Sequence, residues 1–212
     1  MSFTVECLGY APDYVDYRSA WDLQQRYHAD VIAGTRESTL LFLEHSPVYT
    51  AGKRTEDHER PVDGTEVIDV DRGGKITWHG PGQLVVYLIY RLNDAKDVKL
   101  FVDQIEDALI DVCASLGIET MKVDGRSGVW LAATDTLPER KIGAIGIRIH
   151  EGVTMHGLAL NCSNDNAGFD SIVPCGIADA GVTSLSAETG RTITPADVAP
   201  AVEAALARHI SA

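Results

Sequence analysis

Cysteine is scarce in this 212-residue chain: Cys7, Cys113, Cys162 and Cys175 are widely scattered and no CxxC pair occurs. Structural zinc sites are built from closely spaced thiolate and imidazole ligands, so the scatter argues against one, and in a reducing compartment it argues against disulfides. No stretch approaches the roughly 20 apolar residues of a membrane span, and the opening MSFTVECLGY has neither the basic start nor the apolar run of a signal peptide. A cytoplasmic protein with no membrane segment is expected. The phosphate-cradling loop GxxxxGK[ST] is missing, as is a GxGxxG that opens a helix. Basic residues are few, with 18 Lys and Arg against 31 Asp and Glu for a formal charge of −13, which makes nucleic acid an unsuitable partner.

What is present is ordinary globular composition, 45% hydrophobic and 23% charged, in a chain long enough to bury a sizeable core. No repeat, low-complexity tract or linker breaks it, so residues 1–212 read as one domain. FTVECLG and TLLFLEH read as strands, and DYVDYRSAWDLQQRYHADVIAG as a helix with Asp13 as N-cap and Tyr14, Tyr17, Trp21, Tyr27 and Val31 along one face. After a loop, SPVYTAGKR, come the short β-rich runs EVIDV, KITWHG and QLVVYLIYRL. LFVDQIEDALIDVCASLG is a second helix, with Phe101, Ile105, Leu109, Val112 and Leu116 on its buried stripe and Gly117 as its stop. GVWLAA, RKIGAIGIRI and VTMHGLALNC suggest an antiparallel meander, and TPADVAPAVEAALARHI closes the chain as a helix capped by Thr194 and Asp197. Many short strands, three clear helices and few parallel crossovers point to an α+β (α/β) class with a central mixed, mostly antiparallel sheet. Cys7 and Cys113 fall within regular elements and are expected in the core.

Three segments carry unusual chemistry. RGGKITWHGPGQ sets a cation, Arg72, and an imidazole, His79, among glycines that let backbone approach a ligand; the residues alone equally allow two hairpin turns with an exposed Arg. In RKIGAIGIRI, Gly143 and Gly146 interrupt a strand, as they do at bulges or close approaches, and Lys141 heads it, where a lysine is usually just solvated. In IVPCGI, Cys175 stands between Pro174 and Gly176, a setting for a thiol on a sharp bend, although a lone cysteine is more often packed than reactive. A turn-held thiol, a lysine able to lower its pKa and glycine-bordered strands together suggest acyl transfer through a thioester.

RGGKITWHGPGQLVVYLI, RKIGAIGIRI, TMHGLALNCSND and FDSIVPCGI followed by GVTSL resemble, in order, the successive signatures of the lipoyl(octanoyl) transferase family. The resemblance runs from about the SPVYTAGKR loop to Leu185. Lys75 and Trp78 occupy variable positions of the first signature, and Ala144-Ile145-Gly146 replaces a more usual Ser-Leu-Gly. Because that family is similar in fold to the biotin and lipoate protein ligases, the resemblance implies a sheet with an acyl pocket on its face. It also implies Cys175 as nucleophile and Lys141 as its acid/base partner. Arg72, Gly73, Gly74, Lys75, Ile76, Thr77, Trp78 and His79, then Ala144, Ile145 and Gly146, and Gly157, Leu158 and Ala159, are implied to line the acyl site.

The implied donor is octanoyl-acyl carrier protein, and the implied acceptor a lysine on lipoyl domains of 2-oxoacid dehydrogenase complexes or the glycine cleavage H protein. No cofactor and no metal are implied, and a monomer is expected. Alternatives are an ATP-dependent lipoate or biotin protein ligase, against which Cys175 and Lys141 tell, and a non-catalytic acyl- or lipoyl-binding protein. Both partners are expected to be acidic, as this chain is. Docking is therefore assigned to Arg72, Lys75, Arg140 and Arg148, which lie in two stretches free of acids, Arg72–Gln83 and Arg140–His150.

Overall fold

The computed structural model describes residues 3–94, 97–172 and 180–210. Its main sheet runs in the order β1 (Thr4–Gly9), β2 (Thr39–Leu43), β6 (Gln83–Ile89), β10 (Val153–Asn161), β9 (Arg140–His150), β8 (Arg126–Leu131), β7 (Met121–Val123), with β11 (Gly181–Val182) added to β9. Only β1 with β2 and β11 with β9 pair parallel in it, so the sheet is mixed and mostly antiparallel, with β8, β9 and β10 forming the expected meander. A second, three-stranded sheet joins β4 (Val67–Asp69), β3 (Val48–Ala51) and β5 (Ile76–His79). β3 lies in the segment expected to be loop. Four residues between Pro47 and Gly52 carry little periodicity of their own, and β3 is a strand because β4 and β5 both pair with it.

Side chains alternate across a strand, and here the alternation sorts the core into two layers. Leu84, Val86, Leu88, Leu158 and Leu160 face α2 (Val98–Ser115) and α4 (Pro195–Ile210). Val85, Tyr87, Ile89 and Ala159 face α1 (Tyr17–Ala33) and the small sheet. α4 begins at the reciprocal cap read from the sequence: Thr194 N–H donates to Asp197 Oδ2 at 2.9 Å and Asp197 N–H to Thr194 Oγ1 at 3.3 Å. Its partner α2 buries Phe101, Ile105, Leu109 and Val112 as expected, and Glu106 with them.

α1 differs from expectation. Asp16, not Asp13, is its cap, because Asp16 Oδ1 reaches the Ser19 N–H at 2.9 Å. The buried face is Tyr17, Ala20, Gln24, His28 and Val31, while Tyr14 stays exposed before the helix begins. Polar residues fit that face because the sheet beneath offers partners: the His156 N–H donates to Gln24 Oε1 at 2.9 Å, and His28 Nε2 lies 3.2 Å from the Val153 carbonyl oxygen. Cys113 and Cys162 are buried, but Cys7 is exposed, since β1 is an edge strand with a half-open surface. Among the described residues no helix is long and apolar enough to cross a membrane.

Candidate active site

Where the small sheet stands over β6, β10 and β9, the two sheets leave a cavity of about 350 Å³. Strand register places its floor in rows. Val85, Ala159 and Ala144 form one row, and Tyr87, Gly157 and Gly146 the next. Lys141 lies on β9 beyond the alanine row, and at about 3.3 Å per residue the five steps from Lys141 to Gly146 span about 16 Å. Small side chains make the channel, and Tyr17, Thr77 and His79 complete it from α1 and β5.

Most residues that the resemblance assigned to the acyl site line this cavity: Arg72, Gly73, Gly74, Lys75, Thr77, His79, Ala144, Ile145, Gly146, Gly157, Leu158 and Ala159. Ile76 and Trp78 do not. They project from the other face of β5 into a separate apolar cluster, where Trp78 packs edge-on against Phe169 with ring centroids 5.6 Å apart. On β5 the signature alternates faces, so Thr77 and His79 meet the cavity while Ile76 and Trp78 turn away from it. The glycines also do something other than make room for a ligand. A Cβ on Gly146 would stand 3.0 Å from Arg72 Cδ and 3.3 Å from the Gly73 carbonyl oxygen, and one on Gly157 2.1 Å from the Val86 oxygen. Gly146 admits the Arg72 loop and Gly157 admits β6. Sequence reasoning missed Val85, Tyr87 and His156 as lining residues, because their place depends on which strand lies beside which.

The basic islands are spent within the fold. Arg72 is buried and donates to the carbonyl oxygens of Gly73, Lys75 and Thr50 at 2.9–3.0 Å, bracing its own loop against β3. Lys75 pairs with the buried Glu59 at 2.5 Å. Arg140 makes two 2.9 Å bonds to the Glu188 carboxylate, and Arg148 pairs with Asp71. Each of the four cations to which docking was assigned thus already has a partner within the fold: carbonyls of its own loop and of β3 for Arg72, and carboxylates from elsewhere in the chain for the other three.

Lys141 is 8% exposed, a buried amine at the head of β9. Its Nζ donates to the Ser127 carbonyl oxygen at 3.0 Å and lies 4.6 Å from the centre of the Trp130 ring. Cys175 lies outside the described residues. The chain that follows it is anchored beside the lysine: Val182 pairs with Lys141 in parallel register, and Thr183 N–H donates to the Lys141 carbonyl oxygen at 3.0 Å. Ala180, Gly181 and Val182, with Lys141, Trp130 and Phe169, enclose a small space of about 20 Å³ that shares Thr77, Ala144 and Ala159 with the larger cavity. Side-chain amides tie this region together. Asn161 Nδ2 donates to the Thr183 oxygen at 2.9 Å, and Gln83 Nε2 donates to Asn161 Oδ1 at 2.9 Å. Those donors orient Gln83 so that its Oε1, 2.7 Å from His79 Nδ1, can only accept, which assigns the proton of His79 to Nδ1.

Burial favours the neutral form of two imidazoles, His79 at the cavity and His45 packed beside it with ring centroids 5.9 Å apart: desolvation lowers His79 to about 3 and His45 to about 4. Both folded values lie below the unfolded value of ~6.5, so the unfolded chain binds more protons at mildly acidic pH. Their contribution is complete above pH ~6.5 and is lost as pH falls toward the folded values, at about 1.4 kcal/mol per histidine per pH unit. Thermal unfolding at pH 5 should thus occur several degrees lower than at pH 7.5, and His45→Gln should shrink that difference. A melting temperature independent of pH over this range would rule the pair out as neutral buried groups.

The family model for the lipoyl protein ligase A/B catalytic domain matches residues 16–207. Octanoyltransferase from Mycolicibacterium smegmatis is 61% identical over 192 residues, 91% of this chain and 84% of that protein. The octanoyltransferase of Leifsonia xyli is 60% identical over 91% of this chain and 86% of its own. That of Arthrobacter sp. strain FB24 is 53% identical over 99% and 94%. Among solved structures, a bipartite lipoate protein ligase from Thermoplasma acidophilum superposes with a TM-score of 0.68 at 12% identity, covering 99% of this chain and 83% of that one. Lipoate-protein ligase A bound with ATP gives 0.67 at 13% identity over 100% and 86%. At such identity the likeness to the ligases shows the fold alone, whereas relatives more than 50% identical over nine-tenths of the chain show the family. The chain belongs to the lipoyl protein ligase A/B catalytic-domain family, as an octanoyltransferase and hence an acyltransferase.

Proposed function

We propose that the enzyme, acting as a single monomeric domain in the cytoplasm, takes octanoyl from acyl carrier protein onto Cys175 and delivers it to a lysine of a lipoyl domain. The acceptors are lipoyl domains of 2-oxoacid dehydrogenase complexes and the glycine cleavage H protein. In the first half-reaction the Cys175 sulfur bonds to the octanoyl carbonyl carbon as the carrier's C–S bond breaks, and the thiol proton passes by way of Lys141 to the departing carrier thiolate. In the second, the acceptor amine attacks the same carbon, the Cys175–carbon bond breaks, and Lys141 takes the proton that the amine sheds. Thioester exchange is nearly balanced and amide formation runs downhill, so neither half requires ATP.

The observation that carries this reading is the placement of a buried lysine at one end of a channel floored by alanine and glycine. An extended eight-carbon chain, with C–C bonds about 1.5 Å long, spans about 9 Å. Such a chain starting beside Lys141 reaches about as far as the Ala144–Ala159 row, three residues or about 10 Å along β9, and stops well short of Gly146. Chain length should accordingly be set at the alanine row. Ala159→Leu should crowd the far end of octanoyl; displacing about two terminal carbons at ~0.8 kcal/mol each lowers kcat/KM for octanoyl thioester about 10- to 20-fold while butyryl thioester is spared. The assay is octanoyl transfer to a lipoyl domain in ATP-free buffer. Transfer that appears only when ATP is added would replace the proposal with a ligase mechanism, and equal losses for both chain lengths would remove the alanine row as the ruler.

A further inference from the structure

We infer that Glu106, an acid of the core helix α2, is a positioning residue for Lys141, acting through the single peptide unit that joins Ser127 to Gly128. The inference rests on the acid/base role proposed for Lys141. Glu106 is 8% exposed and packs among the apolar residues that α2 turns toward the sheet, a setting in which carboxylates are rare unless paired. Its Oε1 accepts the Gly128 N–H at 2.7 Å. The carbonyl oxygen of the same peptide unit, on Ser127, accepts from Lys141 Nζ at 3.0 Å. The carboxylate and the amine therefore hold opposite ends of one planar group. A carboxylate at the N–H end polarises the unit and strengthens its oxygen as an acceptor, so the bond that places the lysine is tighter than a peptide alone would make it.

The surroundings leave this peptide little freedom. Gly128 adopts φ +116°, and a Cβ there would stand 2.3 Å from the Gly143 carbonyl oxygen and 3.3 Å from Lys141 Cε. The β8–β9 register shifts between Val129 and Trp130, and the shift leaves Lys141 opposite Trp130, whose ring covers Nζ. Trp130 is itself fixed by its indole N–H, which donates to the Arg126 oxygen at 3.1 Å. The charged groups acting on Glu106 are Lys122 on β7 and Asp103 and Asp107 on α2, and Lys122 is occupied by both aspartates at 2.6 and 2.8 Å. Glu106 does not line the acyl cavity. Its effect should fall on turnover and not on acyl binding.

Glu106→Gln keeps an acceptor oxygen for Gly128, and Glu106→Leu keeps the volume without one. The measurement is the single-turnover rate of each half-reaction with a small octanoyl thioester and a lipoyl domain, together with KM for the thioester. Glu106→Leu should lose about 10- to 100-fold in rate in both halves with KM unchanged, the scale expected when a reacting group is displaced by about an ångström. Glu106→Gln should stay within a few-fold of wild type. Wild-type rates in folded Glu106→Leu, a loss in Glu106→Gln as large as in Glu106→Leu, or a change confined to KM would each overturn the inference. Should Glu106→Leu fail to fold, Glu106→Asp, which draws the carboxylate back by one methylene, should show an intermediate rate loss, and a wild-type rate there overturns it as well. Lys141→Met separates the two levels. If that variant is inactive while Glu106→Leu is fully active, only the present inference falls; if Lys141→Met is active, the proposed role of the lysine falls and this inference with it.

Discussion

Incubated with octanoyl-acyl carrier protein, the wild-type enzyme should gain one octanoyl group that hydroxylamine removes, and Cys175→Ala should gain none and lose transfer to lipoyl domains altogether. No other cysteine is placed to stand in. Burial pushes the Cys113 thiol up to about 11 and that of Cys162 higher still, so at neutral pH neither supplies thiolate, and the protein covers both. Cys7 is exposed, but it sits on the edge strand β1, at the opposite side of the sheet order from β9. Because an exposed thiol can be acylated or alkylated adventitiously, the comparison belongs in a Cys7→Ser background. Intact-protein mass spectrometry then reports one residue. An unchanged yield of octanoyl-enzyme in Cys175→Ala would remove the covalent mechanism and leave an acyl-binding protein.

The second large effect is expected at Lys141. A fixed cation beside Cys175 lowers a thiol pKa from its free value of ~8.5, and an arginine could do that too. Arginine cannot give up its proton at working pH, however, so it cannot accept one from the thiol or from the incoming amine. Lys141→Arg should keep an alkylatable Cys175 yet lose turnover by about 10²- to 10⁴-fold, the usual contribution of a positioned acid/base, with the larger loss in amide formation. Nζ is held by the Ser127 carbonyl and the Trp130 ring, contacts that the longer, planar guanidinium would meet differently. Lys141→Met is therefore the companion variant, retaining the packed stem without the amine; it should lose both thiol reactivity and turnover. Iodoacetamide alkylation rate against pH, beside single-turnover rates, distinguishes them. Wild-type octanoyl transfer by Lys141→Arg would reduce the lysine to an electrostatic part.

Much of this was legible in the residues. α4 forms where its cap puts it and α2 where its periodicity does, though α2 starts two residues earlier, at Val98, and ends at Ser115 so that Leu116 caps it. β8, β9 and β10 form the expected meander. Local signals failed where two candidates competed or where the deciding partner was remote. Asp13 and Asp16 both look like caps, and the one whose carboxylate meets Ser19 N–H wins. Arg140 and Arg148 look like docking cations in an acid-free stretch, but Glu188 and Asp71 come from 48 and 77 residues away to neutralise them. Glu106 reads as one more acid of a helix, because nothing nearby in sequence announces the Gly128 N–H that it accepts.

By itself the sequence determined the parts and their chemistry: a thiol between Pro174 and Gly176, a lysine at the head of a glycine-interrupted strand, and small residues at 144, 146, 157 and 159. It also determined the alternation of each strand, since period two is a property of the extended backbone. Which alternate face became the cavity was decided only in three dimensions. Thr77 and His79 line it while Ile76 and Trp78 do not, because β5 reaches the cavity through its pairing with β3, and β9 is set against β10 by a register that makes Gly146 the neighbour of Gly157. Those pairings are contacts between distant segments, chosen by the packing of the two core layers, and no local stretch of residues contains the information that selects them.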